Sequence, residues 1–256
     1  MGHIEHLSTL FDLKNKAVAD VGAGSGAFSV QLSQAGAIVS AIEIDPDKVA
    51  AAREKLPSGV AVLEGRAEAL PLADGSQDLL CYFFSFHHVP QEVQTLALQE
   101  ACRVLNPGGR LHIVEPYPYG SMFDVVRLVE DETVVRTRSH QIMATLAQDG
   151  GAFELLDKAE YTLSRSYPAF EDFLKQVVRV DPARKRIFEE NRAEVEERFE
   201  ESLDRSSGGH LLHQPCAAYH FINQLLFHIL LKRPLEYLLT TLLIQATFLD
   251  QNFHLH

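Results

Sequence analysis

Three glycines at every second position, Gly22, Gly24 and Gly26, stand in the run "VADVGAGSGAF" just behind Asp20. A backbone this bare exposes amide groups at the start of a helix to a ligand that must approach closely, and such amides carry partial positive charge. Two spacings fit at once. Gly22, Gly24 and Ala27 match the dinucleotide pattern G-x-G-x-x-A, whereas Gly22, Gly24 and Gly26 match a tighter G-x-G-x-G. Both readings are joined by Glu43, about twenty residues on at the end of "AIVSAIEID", where a carboxylate accepts hydrogen bonds from ribose hydroxyls. The chemistry implied is the binding of a nucleoside, and at this level the nucleoside stays open.

These residues need a strand, a turn and a helix to hold them. Apolar runs near residues 17–22, 37–43, 59–64, 78–84 and 110–115 alternate with helical patterns, the signature of a parallel sheet covered by helices. Gly36 ends the first of those helices, Asp45 caps the next with Pro46 at its first position, and "NPGG" places Gly108 where a tight turn wants a positive φ. The chain has 256 residues, 46% hydrophobic and 23% charged, enough to bury a sizeable core. Its net charge of −12 disfavours a nucleic-acid partner. The three cysteines lack C-x-x-C spacing, so neither a disulfide framework nor a zinc site is expected, and a reducing cytoplasmic setting is. The opening "MGHIEHLSTLF" lacks the basic and long apolar regions of an export signal. The histidine pairs His3/His6, His210/His213 and His254/His256 lack a carboxylate motif such as H-E-x-x-H, so no metal is expected at them.

Three further features separate the two readings. Asp20 lies inside the strand, where a dinucleotide enzyme would carry an apolar residue. The segment "EGRAEALPLADGSQDLL" joins the third and fourth strands, and "FSFHHVP" follows the fourth, ahead of "RVLNPGGRLHIVEP". In this order, residues 18–115 resemble the class I S-adenosylmethionine-dependent methyltransferases of small-molecule type, near the ubiquinone-biosynthesis-like group. The fold the resemblance implies is α/β, a Rossmann-like, seven-stranded, mainly parallel sheet with helices on both faces.

The resemblance also implies roles. The turn Gly22-Ala23-Gly24-Ser25-Gly26 would hold the methionine part of S-adenosyl-L-methionine, Asp20 would orient its amino group, and Glu43 would bind the ribose. Arg66 stands where the family often has an acid that meets the adenine amino group. Because a guanidinium cannot accept a hydrogen bond, adenine recognition would fall to the backbone of Ala67, to apolar contacts and to stacking of the Arg66 guanidinium. Phe84 and Ser85 would line the far side of the cofactor. Methyl transfer is an in-line displacement that relies on alignment and exclusion of water. A base is needed only if the acceptor must lose a proton, and His87 and His88 are the candidates; the plainer reading is that one packs beneath the sheet edge while the other lines the pocket. Phe86, Tyr117 and Tyr119 are aromatics that would favour a sulfonium.

The second half selects the acceptor. "MFDVVRLVEDETVVRTRSHQIMATLAQDGG" predicts a helix, "AFELLDKAEYTL" the sixth strand and residues 215–222 the seventh. In "EDETVVRTR", Glu132 and Arg136 have the spacing of a surface ion pair; the functional alternative is that Asp131, Glu132 and Arg136 read a polar acceptor, with Tyr117 beside them. Residues 164–213 form a helical insertion between the last two strands, an expected lid. The domain is thus expected over residues 1–222, with 223–256 as an appended leucine-rich helical tail that packs on the domain or on a second copy. No membrane span is expected, since its longest charge-free run, 237–249, is too short. The expected partner is a small-molecule methyl acceptor. Two alternatives remain: a non-catalytic S-adenosylmethionine binder, and an NAD(P)-dependent oxidoreductase.

Overall fold

The computed structural model describes residues 2–148, 151–180, 184–206 and 210–224. A seven-stranded sheet carries the molecule, in the order β3-β2-β1-β4-β5-β7-β6. Its strands are β1 (Ala17–Val21), β2 (Ile38–Glu43), β3 (Val60–Glu64), β4 (Gln77–Phe83), β5 (Leu105–Pro116), β6 (Phe153–Ser166) and β7 (Leu211–Asn223). The first five pair in parallel; β7 lies antiparallel between β5 and β6. Chain order reverses between β1 and β4, and ligands gather at the carboxyl ends of strands at such a point.

The helices are α1 (His3–Leu10), α2 (Ala27–Gln34), α3 (Pro46–Lys55), α4 (Gln94–Val104), α5 (Ser121–Val126), α6 (Thr133–Leu146), α7 (Phe170–Val180) and α8 (Arg184–Ser202). Local chemistry starts α3 and stops α2 as expected, while "NPGG" falls within β5. The Asp45 carboxylate accepts from the amides of Asp47 and Lys48, and Gly36 and Gly108 hold positive φ. Two cores form on the sheet, one around Leu80, Phe86, Leu111 and Phe221, the other around Leu7, Leu32, Val39 and Leu79.

The expected single helix over 122–151 is two, α5 and α6. Asp131 breaks it, since its carboxylate accepts from the Thr133 amide and hydroxyl and opens a new first turn there. The insertion is helical as expected, with α7 and α8, but is shorter than 164–213, because β6 runs on to Ser166 and β7 begins at Leu211. It has a core of its own, Phe170, Phe173, Phe188, Val195 and Phe199 packed with Val125 and Val129. Asn223 belongs to β7, and the Gln224 amide donates to the Ala152 carbonyl. The tail expected beyond them lies outside the described residues. Among the described residues no helix is long and apolar enough to cross a membrane. All three cysteines are buried and free.

Candidate active site

The glycine turn sits at the carboxyl end of β1, and each glycine answers to a different neighbour. Gly22, Gly24 and Gly26 hold φ of +73°, +55° and +77°. A Cβ on Gly22 would meet Ser85 Cβ at 2.6 Å, and one on Gly26 would meet Leu56 at 2.5 Å. A Cβ on Gly24 would meet nothing within 4 Å, so its open side faces empty space. The turn is fixed by the amides of Gly22 and Ala23, which donate to Ile42 O at 2.8 and 3.0 Å.

Glu43, at the end of β2, closes on this turn. Its Oε2 accepts from the Gly24 amide at 2.8 Å, and its Oε1 from the amides of Ile44 and Asp45 at 2.9 and 3.1 Å. Asp20 lies beneath, fully buried, and accepts from Ser29 Oγ at 2.5 Å. Burial pushes its carboxyl up to about 6; the Ser29 hydrogen bond opposes that rise and the Glu43 charge adds to it. Two acidic groups therefore flank an open glycine turn, an arrangement suited to hydroxyl and ammonium donors.

Opposite the turn, β4 ends in strained backbone. Phe84 holds φ +51°, an uncommon left-handed conformation for a bulky side chain, and its amide donates to Val114 O at 2.8 Å. This twist aims Ser85 back at β1, where its hydroxyl donates to Val21 O at 2.6 Å. The Phe84 ring turns toward α1, 5.5 Å from the His3 ring, and packs with Val114, Cys216 and Ala218. Arg66 is exposed and donates to Glu68 Oε1 at 2.5 Å. A carboxylate does stand in that loop, two positions after the arginine, with the backbone of Ala67 between them.

His87 and His88 follow in a short 3-10 turn and differ sharply. His87 is buried, its Nδ1 2.7 Å from Glu115 Oε2 and its amide donating to the same carboxylate. Glu115 is wholly buried at the end of β5. Burial alone would raise its pKa, but the charge and hydrogen bond of His87 bring it below the usual carboxylate value. Held at its amide and at Nδ1 by one carboxylate, the His87 ring has a fixed orientation, with Nε2 on the side away from Glu115. The His88 side chain is about half exposed (52%), with Nε2 3.9 Å from Glu132 Oε1. Desolvation, with the neighbouring His87, lowers its pKa.

Glu132 and Arg136 are the expected pair, but they lie inside the molecule and not on a surface. Arg136 forks onto Glu132 Oε2 at 2.6 and 2.9 Å, and also donates to Tyr117 O and Gln214 Oε1. From the insertion, Arg184 donates to Glu130 Oε2 at 2.6 Å and reaches Glu132 Oε1 at 3.5 Å. Asp131 is not part of this group; it is exposed and serves the first turn of α6. Tyr117 stacks on Tyr119 and His140 and donates its hydroxyl to Glu160 at 2.7 Å. Phe86 is fully buried in the sheet core. An apolar hollow of about 1000 Å3 between α4 and α6 lies among Leu98, Cys102, Ile142, Leu146 and Phe153 and shares no residue with this site.

Glu115, Arg184 and Gln214 were not singled out from the sequence. Glu115 had a signal, an acid at the carboxyl end of a parallel strand, where ligands gather.

Comparison with known proteins bears on what such a site serves. The family model for a methyltransferase domain matches residues 19–113. An uncharacterized methyltransferase of Mycobacterium tuberculosis is 36% identical over 110 residues, 43% of this chain and 44% of the relative. A ubiquinone/menaquinone biosynthesis C-methyltransferase of Bradyrhizobium diazoefficiens is 38% identical over 107 residues, 39% of this chain and 42% of the relative. The chain thus spans less than half the length of these curated relatives. A solved Bacillus halodurans protein, described as a candidate methyltransferase, superposes with a TM-score of 0.57 at 20% identity, covering 86% of this chain and 98% of that one. Residues 19–113 therefore resemble a methyltransferase domain, and they are set in a Rossmann-like sheet.

Proposed function

We propose that the protein transfers the methyl group of S-adenosyl-L-methionine to a small-molecule acceptor. The observation that carries this reading is the open side of Gly24, where a side chain would stand but for the glycine, on a turn whose amide is held by Glu43. The residues present fit the cofactor. Glu43 would exchange its hold on the Gly24 amide for the ribose hydroxyls, the freed turn amides would meet a carboxylate, and Asp20 would favour an ammonium group. Arg66 and Ala67 border the space for the base, with Glu68 as the hydrogen-bond acceptor that Arg66 cannot be. The bound cofactor would supply an electrophilic methyl on sulfur.

What the chain itself does is align and enclose. Ser85 ties the end of β4 to β1 and so fixes the distance between the glycine turn and the two histidines. His87, oriented by Glu115, and His88 would meet the acceptor and the proton it gives up. Glu132, Arg136 and Tyr117 would form the polar wall of the acceptor space, and Asp131 is left out of that role. Residues between β6 and β7 would act as the lid, held to this wall through Arg184. Titration calorimetry with S-adenosylhomocysteine, followed by transfer of a labelled methyl to a panel of extracted metabolites, tests the reading. Micromolar binding and a labelled product are expected; binding of a nicotinamide dinucleotide in its place would overturn it. Tight binding with no product would leave the non-catalytic alternative.

A further inference from the structure

His87, His88 and Glu132 reach one another from two separate elements, the turn after β4 and the start of α6. Each offers one ligating atom, and these atoms all lie within 4.8 Å of one another. Points so spaced lie no more than about 2.8 Å from a common centre, against about 2.1 Å for a bound first-row ion. Small side-chain rotations would close that difference. Glu115 completes the arrangement from behind, because a carboxylate on the far nitrogen of a ligating histidine fixes its tautomer and raises its basicity. Two imidazoles and one carboxylate suit a transition ion such as zinc, iron or cobalt, and leave positions open for a substrate oxygen.

We propose that His87, His88 and Glu132 form a binding site for a divalent transition-metal ion beside the acceptor space proposed above. The ion would take an acceptor hydroxyl and lower its pKa, the proton passing to solvent, so that the reacting atom of the substrate is oxygen. In the loaded protein the two histidines are ligands and the ion replaces them as the agent that activates the acceptor. The site rests on the methyl-transfer reading only for its use; its occupancy is independent of it.

Two arginines stand close and set the terms of occupancy. Arg136 holds Glu132 Oε2 and leaves Oε1 turned to His88. Arg184 reaches that same Oε1 at 3.5 Å but has a shorter bond to Glu130 to fall back on. The ion and the insertion thus compete for a single oxygen. Removing Arg184 is expected to tighten metal binding.

The test uses the full chain without an added histidine tag, stripped with a chelator and titrated with Co2+ alone. One Co2+ per chain is expected, with visible d–d bands. His88→Ala, at a half-exposed position, should weaken binding at least tenfold with an unchanged melting temperature; Arg184→Ala should tighten it several-fold; His210→Ala should leave it unchanged. Absence of stoichiometric binding, or binding indifferent to His88→Ala, would overturn the proposal. Glu132→Gln is the less informative variant, since it strips Arg136 of its partner inside the fold. Calorimetry with S-adenosylhomocysteine on the same samples keeps the two readings apart. Its binding without cobalt binding sinks the ion alone, while cobalt binding without it supports the ion and sinks the cofactor assignment.

Discussion

Gly22 and Gly24 sit two residues apart in the same left-handed conformation, yet alanine should do different things at each. At Gly24 the added methyl enters open space, so Gly24→Ala is expected to cost about 1–2 kcal/mol of stability from backbone strain alone. It should also weaken S-adenosylhomocysteine binding at least tenfold. At Gly22 the methyl strikes Ser85, and thermal melts should show the larger loss there. Asp20 adds a pH signature. Its carboxyl titrates near 6 in the folded protein against 3.8 ordinarily, so any stabilisation from the raised value is present below about pH 4 and lost as pH rises through 6. At pH 8 the buried charge is a burden on the free protein, and Asp20→Asn should raise its melting temperature while weakening cofactor binding, measured by scanning calorimetry and titration. The residues around the turn were legible because their chemistry is local: glycines, an acid before them and an acid after the next strand. Glu115 was not, since nothing in sequence links it to His87, 28 positions away, until β4 and β5 lie side by side.

Among elements, α1 is held to the sheet by histidines. His3 Nδ1 lies 2.6 Å from the Tyr161 hydroxyl, His6 Nε2 3.7 Å from Asp157, and beneath them His112 and His220 share a contact of 3.3 Å between their Nδ1 atoms. Burial first, and neighbouring positive groups second, lower the pKa of His3 to about 3 and of His220 to about 4, and push His112 well below its usual value. Each therefore binds its proton more readily in the unfolded chain. Their contribution to stability is complete above about pH 6.5 and is lost as pH falls toward 4, on the order of 3 kcal/mol for His220 alone. Denaturant melts between pH 7 and 4.5 should show this loss, and His220→Leu should flatten it. The sequence marked His3 and His6 only as a spacing; that they face His112 and His220 depends on strands more than a hundred residues later. The α5–α6 break was missed for a local reason, because helical apolar spacing runs through Asp131 while its side chain captures Thr133. Likewise the spacing of Glu132 and Arg136 was legible and their burial was not, since Gln214 and Arg184 enclose them from distant segments.

At the scale of the whole molecule, β7 is the piece that joins the halves. It pairs with β5 on one side and β6 on the other, so a chain stopped after residue 206 would leave both with open edges. Such edges invite pairing with other chains, and this truncation is expected to aggregate on size-exclusion chromatography. Assembly on the ribosome inherits the same constraint. The five parallel strands are complete when residue 116 has been made, but β7 starts only at Leu211, roughly 95 residues and about 5–20 s later at ordinary synthesis rates. For that interval the nascent protein carries a finished parallel half whose last strand is naked, and a helper that shields it would act there first.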